Sequence, residues 1–228
     1  MYNAIILCGG QASRMGDLDI PKNLIPLAGR SLLERQLDML LELDSVNEIV
    51  LSAGHLASEL VSYVDALDHP LASKIWVLAE EKKLGTGGAI KFAMDNVRDK
   101  DLNFIVFNGD IVTEESLKAF CAYFTGELLI LGAEVPDGST LGTLEVDGDK
   151  LVAFKEKTGL CVPALINGGI YLFKEDLRGY MPQSDCFSIE YDVFEHVENA
   201  RVLRSKAPWF AVDTPERLDV AQTYFNMV

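Results

Sequence analysis

The chain has 228 residues, of which 49% are hydrophobic, enough for one sizeable α/β domain and too many for a disordered chain. Lys and Arg number 20 against 35 Asp and Glu, a formal net charge of −15, which argues against a general nucleic-acid binder or an anionic-membrane binder. Four scattered cysteines, Cys8, Cys121, Cys161 and Cys186, form no CxxC pair and read as reduced thiols rather than a zinc site or disulfide frame. With no charged-then-apolar leader and no run long enough to span a bilayer, the expected location is the cytoplasm.

The apolar run Ala4 to Leu7 reads as a buried strand that stops at Gly9-Gly10. Ser31 with Glu34 forms the pattern of a capping box, and Leu33, Leu37, Leu40 and Leu41 mark one helix face. Strands are expected at Glu48 to Leu51, Ile75 to Leu78 and Phe104 to Phe107. Helices are expected from Glu59 to Leu67, Ile90 to Val97 and Glu114 to Tyr123. This alternation implies a parallel sheet with helices on both faces. After Glu127 strand-like runs crowd together: Leu128 to Val135, Thr143 to Val146, Leu151 to Lys155 and Leu165 to Phe173. They predict an antiparallel extension of the same sheet. A helix from Glu190 to Val197, strands at Val202-Leu203 and Trp209 to Asp213, and a helix opened by Thr214-Pro215 complete the chain. The expected fold class is thus α/β, a Rossmann-like three-layer α/β/α mixed sheet, mostly parallel. It forms one domain with halves at 1–126 and 127–228.

Ligands of parallel α/β sheets gather at the carboxyl ends of the strands. Three features share that edge. Gly9 and Gly10, with Leu7 before them and Arg14 and Lys22 after, form either a phosphate cradle of backbone N–H groups and two cations or a tight turn with surface charges. Gly85-Thr86-Gly87-Gly88 offers a side-chain-poor surface for a base and ribose. Asp110 follows a buried strand and Gly109, and is either a carboxylate that meets phosphate through Mg²⁺ or a turn aspartate. The chain has no G-x-x-x-x-G-K-[ST] and no G-x-G-x-x-G with an acidic residue behind it, so neither a P-loop nor a dinucleotide site is supported. His55, His69 and His196 are isolated and are not expected to be catalytic.

Taken together, Leu7-Cys8-Gly9-Gly10 through Arg14-Met15, Pro21-Lys22, Leu84 to Ala89, Asn108-Gly109-Asp110, Glu156-Lys157, Asn167-Gly168-Gly169-Ile170-Tyr171 and Trp209 to Pro215 resemble the sugar-1-phosphate nucleotidyltransferases. The resemblance covers nearly the whole chain. Leu84 to Ile90 and Phe187 to Glu190 with Asp192 are most similar to the short bacterial members that include D-glycero-D-manno-heptose 1-phosphate guanylyltransferase. It implies that an NTP, GTP by preference, and a sugar 1-phosphate give an NDP-sugar and pyrophosphate with Mg²⁺ as cofactor. It further implies that Arg14 and Lys22 hold the phosphates and that Leu7, Gly9, Gly10, Gly85, Thr86, Gly87 and Gly88 seat the nucleotide. By the same resemblance Asp110 would ligate the metal, and Asn108, Glu156, Lys157, Asn167 and Gly168 would face the sugar phosphate. No nucleic-acid or membrane partner is expected, and a homo-oligomer paired through apolar edge strands of the second half stays open.

The chain departs from the family pattern at two places. The carboxylate usual two residues after Trp209 is Ala211, and Asp213 stands where glycine is usual. Asp213 is either a replacement metal ligand or the cap of the last helix. Asn23 replaces a common second proline and suggests a looser lysine loop. Two other functions stay open on these residues: a cytidylyltransferase for a phosphorylated alcohol, and a non-catalytic nucleotide-sugar binder.

Overall fold

The computed structural model describes residues 1–10, 13–16, 20–54, 56–155, 157 and 159–227. Chain order gives β1 (Tyr2–Leu7), β2 (Pro26–Leu27), β3 (Arg30–Ser31), α1 (Leu32–Leu41), β4 (Val46–Ala53), α2 (Ala57–Asp65) and β5 (Ile75–Ala79). Next come α3 (Gly85–Asn96), β6 (Asn103–Asn108), β7 (Ile111–Thr113), α4 (Leu117–Ala122) and β8 (Leu128–Val135). The rest is β9 (Thr143–Asp147), β10 (Lys150–Lys155), β11 (Ala164–Phe173), α5 (Ile189–Asp192), β12 (Ala200–Ser205), β13 (Trp209–Ala211) and α6 (Pro215–Phe225).

The main sheet runs β5-β4-β1-β6-β11-β8-β12-β10-β9. Strands β5, β4, β1 and β6 are parallel neighbours, and β11 joins β6 antiparallel. Beyond β11 the pairings are antiparallel except β8 with β12. The sheet is therefore mixed, with parallel pairing concentrated in its first four strands, and the expectation of a mostly parallel sheet is too strong. A second contact, Ile166 opposite Thr143, folds β9 back onto β11.

Alternation along the strands divides the core. Ile5, Phe104 and Val106 face one side with Ile90, Ala93 and Met94 of α3. Ala4, Ile6, Ile105 and Phe107 face the other with Leu33, Leu37 and Leu40 of α1, Leu60 of α2 and Phe120 of α4. Period-two strands with both faces apolar require this cover of helices. A third, smaller cluster of Ile25, Leu27, Leu32, Val112, Val212 and Ala221 packs the segment after Lys22 against β7, β13 and α6. It brings together three stretches far apart in sequence.

The capping box forms: Ser31 Oγ accepts from Glu34 N at 3.1 Å, and Glu34 accepts from Ser31 N at 2.8 Å. Helix α3 starts at Gly85, five residues before the sequence places it. Glycine is a poor helix former, but tertiary packing selects it here. A Cβ on Gly87 would lie 2.2 Å from the Phe187 ring, and one on Gly88 would lie 2.0 Å from the Asp185 carbonyl oxygen. The expected helix over residues 190–197 is one α-turn followed by a 3₁₀ turn at Phe194–His196. Strand β13 stops at Ala211, and Thr214 rather than Asp213 caps α6, accepting from Arg217 N at 3.3 Å.

Candidate active site

A cleft of about 340 Å³ opens at the carboxyl ends of β1, β5 and β6. Leu7, Gly9 and Gly10 form one wall, Gly85 and Thr86 another, and Asn108, Gly109 and Asp110 a third. Lys22 enters from the side, where its Nζ donates to Asp110 Oδ2 at 2.7 Å. The Lys22 side chain is 13% exposed and that of Asp110 34%, so the pair is sheltered but open to a ligand.

Asn23 fixes this arrangement. It is buried, and its Nδ2 donates to the Gly109 carbonyl at 2.8 Å. A Cβ on Gly109 would lie 2.0 Å from Asn23 Nδ2 and 2.2 Å from the Leu7 carbonyl oxygen, so residue 109 has no room for a side chain. The looser loop expected from Asn23 is not what forms: its amide pins the lysine segment to the loop that carries Asp110.

Asp213 lies beside the same group. Val212 N donates to the Asp110 carbonyl at 2.7 Å, which joins the two acidic segments through backbone. Asp213 Oδ2 accepts from Arg14 Nη1 at 2.8 Å, and Oδ1 accepts from Arg217 Nη1 at 2.6 Å. Burial pushes the Asp213 carboxyl up, but the hydrogen bond and charge of Arg217, helped by Lys22 and Arg14, outweigh it and hold the group below the ordinary carboxylate range. Arg217 lies in the first turn of α6, four residues after Asp213, and also donates from Nη2 to Thr140 Oγ1 at 2.6 Å.

A buried hydrogen-bond network adjoins the cleft through Asn108 and Thr86. Tyr171 is fully buried, and its hydroxyl meets Asn167 Nδ2 at 2.8 Å, Asn108 Nδ2 at 3.4 Å and Glu190 Oε1 at 3.2 Å. Glu190 Oε2 accepts from Thr86 Oγ1 at 2.9 Å and from Ser188 Oγ at 2.8 Å. One carboxylate thus links the first turn of α3 to β11. Asn167 Oδ1 accepts from Gly169 N at 3.1 Å across an irregularity in the β11–β8 register, and the Gly168 carbonyl accepts from Trp209 Nε1 at 2.9 Å. Asn108 Oδ1 is buried without a partner on the cleft wall.

Of the residues singled out from sequence, Leu7, Gly9, Gly10, Lys22, Gly85, Thr86, Asn108 and Asp110 line the cleft. Arg14 and Asp213 adjoin it through the ion-pair cluster. Gly87 and Gly88 are buried against residues 185–189, and Asn167 bonds within the chain. Lys157 is exposed and does not line the cleft; Glu156 lies outside the described residues. Sequence reasoning missed Glu80, Lys83 and Arg217. Glu80 follows the last residue of β5, and its place at a parallel strand's carboxyl end was the available signal. Its Oε1 accepts from Ser52 Oγ at 2.9 Å. Burial pushes its carboxyl up, only partly offset by bonds from Ser52 and Leu84 N. Cys8 is buried beneath this wall, its thiol pushed up by burial and then by the Glu80 charge, which makes it a neutral core thiol. Buried His69 bonds to Leu71 N at 3.1 Å and does not reach the cleft; His55 lies outside the described residues.

Residues 4–158 match the MobA-like NTP transferase domain. The chain is 31% identical over 206 residues to the D-glycero-alpha-D-manno-heptose 1-phosphate guanylyltransferase of Campylobacter jejuni, with 90% of this chain and 89% of that protein covered. It is 29% identical over 198 residues to the mannose-1-phosphate guanylyltransferase catalytic subunit beta of Dictyostelium discoideum, covering 84% of this chain and 54% of that protein. The chain thus spans about half the length of the mannose-1-phosphate relatives. The crystal structure of HddC from Yersinia pseudotuberculosis complexed with GMP-PN superposes with a TM-score of 0.82 at 31% identity, covering 99% of this chain and 100% of that one. Among the described residues no helix is long and apolar enough to cross a membrane. By the match to two thirds of its length, and by an edge of glycines, cations and carboxylates where the sheet places ligands, the chain belongs to the MobA-like NTP transferase family.

Proposed function

We propose that the protein transfers a nucleotidyl group from GTP to a sugar 1-phosphate, a heptose or other hexose-like sugar, giving an NDP-sugar and pyrophosphate for surface polysaccharide synthesis. The observation that carries this reading is the Lys22–Asp110 pair at 2.7 Å beside the Gly9-Gly10 wall, a cation and a carboxylate in one cleft. The name of one relative that matches nearly end to end, a heptose 1-phosphate guanylyltransferase, supports it.

A sugar 1-phosphate has a second pKa of about 6, so its oxygen is largely anionic at neutral pH and needs no general base. That oxygen forms a bond to the α-phosphorus, the bond from phosphorus to the bridging oxygen breaks, and the electron pair leaves with pyrophosphate. The chain's work is positioning and charge neutralisation. Gly9 and Gly10 present backbone N–H groups to phosphate oxygens, Lys22 neutralises charge at the α-phosphate, and Arg14 holds the leaving phosphates. Asp110 and Asp213 are the residues that would hold Mg²⁺. The donor set fits that ion: Mg²⁺ takes one or two carboxylates and completes its shell with phosphate and water. Among the described residues there is no larger acidic or histidine cluster that would suit a metal bound by protein alone. When bound, the ion neutralises the phosphate oxygens.

Glu80 supports the choice of base. Guanine presents N1–H and the exocyclic amino group side by side, and a carboxylate accepts from both. Uracil and thymine present one N–H between two carbonyls, which a carboxylate repels. Cytosine and adenine offer an amino group beside an acceptor nitrogen. Four NTPs assayed against a panel of sugar 1-phosphates with Mg²⁺ test the proposal by pyrophosphate release. Release with GTP and heptose or mannose 1-phosphate is expected. Silence in every combination contradicts the reaction, and preference for CTP contradicts the role of Glu80.

A further inference from the structure

Asp213 has a guanidinium on each oxygen, and the two differ in kind. Arg217 holds Oδ1 at 2.6 Å, is 27% exposed, and has a second anchor at Thr140 Oγ1. Its backbone sits in the capped first turn of α6, a helix packed through Ala221 into the cluster that holds Val112 and Val212. Arg14 holds Oδ2 at 2.8 Å from a side chain that is 63% exposed. An exposed ion pair contributes little and exchanges readily, whereas a half-buried guanidinium with two bonded faces stays in place.

Lys22 in turn covers Asp110, so among the described residues of these ion pairs three cations face two carboxylates, a net positive charge. A bare divalent cation is repelled there. A triphosphate reverses the sign and offers Arg14 a better partner than a carboxylate it already shares with Arg217.

We propose that the two arginines act on Asp213 in opposite senses. Arg217 is a positioning residue that fixes the carboxylate from one side, compensating for the missing carboxylate at Ala211. Arg14 is an exchangeable latch that keeps Oδ2 occupied until a triphosphate draws it away. Metal and nucleotide then enter together. This rests on Asp213 as a metal ligand, and the test is independent of turnover.

Free protein without nucleotide is titrated with Mn²⁺ and the unbound ion counted by electron paramagnetic resonance. Arg14→Met is expected to tighten binding at least tenfold over the parent chain. In that background Arg217→Met loses at least tenfold, and Arg217→Lys retains most of the affinity. Two substitutions that each remove one positive charge cannot give opposite signs through net charge alone. Thr140→Val in the Arg14→Met background keeps the charge of Arg217 while removing its second anchor, and is expected to weaken Mn²⁺ binding severalfold; it carries the test where the double arginine variant fails a thermal-melt check. Arg14→Met that binds no tighter than the parent overturns the latch. Arg217→Met or Thr140→Val that leaves the Arg14→Met affinity unchanged or improved overturns the positioning role. Asp213→Asn that leaves it intact removes the metal-ligand reading itself, while pyrophosphate release by the parent chain stands or falls separately.

Discussion

Asn23 and Gly109, 86 residues apart, are joined by a 2.8 Å hydrogen bond that carries Lys22 up to Asp110. Both sides of this contact are tight. Gly109→Ala is expected to cost about 3 kcal/mol or more, since its Cβ would overlap both the Asn23 amide and the Leu7 carbonyl. Asn23→Ala removes the bond and leaves the Gly109 carbonyl buried, a loss of about 1–3 kcal/mol. Denaturant melts give these values. The Asn23 variant should also lose turnover in excess of its stability loss, because the lysine segment is then free to swing from the cleft.

The acid limb of stability should carry the signature of Asp213. Its carboxyl lies below the ordinary range because Arg217, Lys22 and Arg14 outweigh the effect of burial. A depressed carboxyl contributes stability in full above its unfolded value of about 4 and loses it as pH falls through the folded value. The melting-temperature gap between the parent chain and Asp213→Asn is therefore expected to be widest above about pH 5 and to close on acidification. Calorimetric scans between neutral and acid pH measure it.

Tyr171→Phe keeps the ring in the core and removes only the hydroxyl. Asn167 Nδ2 and Glu190 Oε1 then lose a partner in a buried setting, at a cost of about 1–3 kcal/mol. On the proposal that Asn167 and Asn108 face the sugar phosphate, the expected kinetic effect is a rise in KM for the sugar phosphate with KM for the nucleotide little changed. Initial-rate measurements with each substrate varied in turn separate the two.

Glu80→Gln should blunt the choice of base. Hydrogen bonds to a charged acceptor contribute about 1.5–3 kcal/mol, so kcat/KM for GTP is expected to fall roughly tenfold to a hundredfold. Discrimination against CTP and UTP should shrink with it. Because burial raises this carboxyl, the parent chain should also lose GTP affinity on acidification sooner than an ordinary glutamate would impose, and the Gln variant should not.

What the sequence made legible was local or periodic. The Ser31–Glu34 capping box needs only four residues, and the buried strands announce themselves by unbroken apolar runs. The cleft walls followed from the rule that ligands sit at strand carboxyl ends. The misses came from partners far along the chain. Gly87 and Gly88 looked like an open loop because Phe187 and Asp185, which pack against them, lie about a hundred residues on. Asn23 looked like lost rigidity because its bond to Gly109 has no signal in spacing. Arg217 sits at an i+4 distance from Asp213, which sequence does show, but its grip on Thr140 requires the loop before β9 to fold over α6. The parallel β8–β12 pair hides for the same reason: strands similar in apolar pattern do not declare their neighbours.

The central claim is that Lys22 and Asp110 flank a triphosphate whose α-phosphorus is attacked by a sugar phosphate. Its most direct test is single-turnover pyrophosphate release from GTP and a sugar 1-phosphate, comparing the parent chain with Lys22→Met and Asp110→Asn. Each variant is expected to keep its fold by circular dichroism and to lose at least about a hundredfold in rate, as removal of one charge-stabilising group does. Parent-like rates in both folded variants would contradict the account.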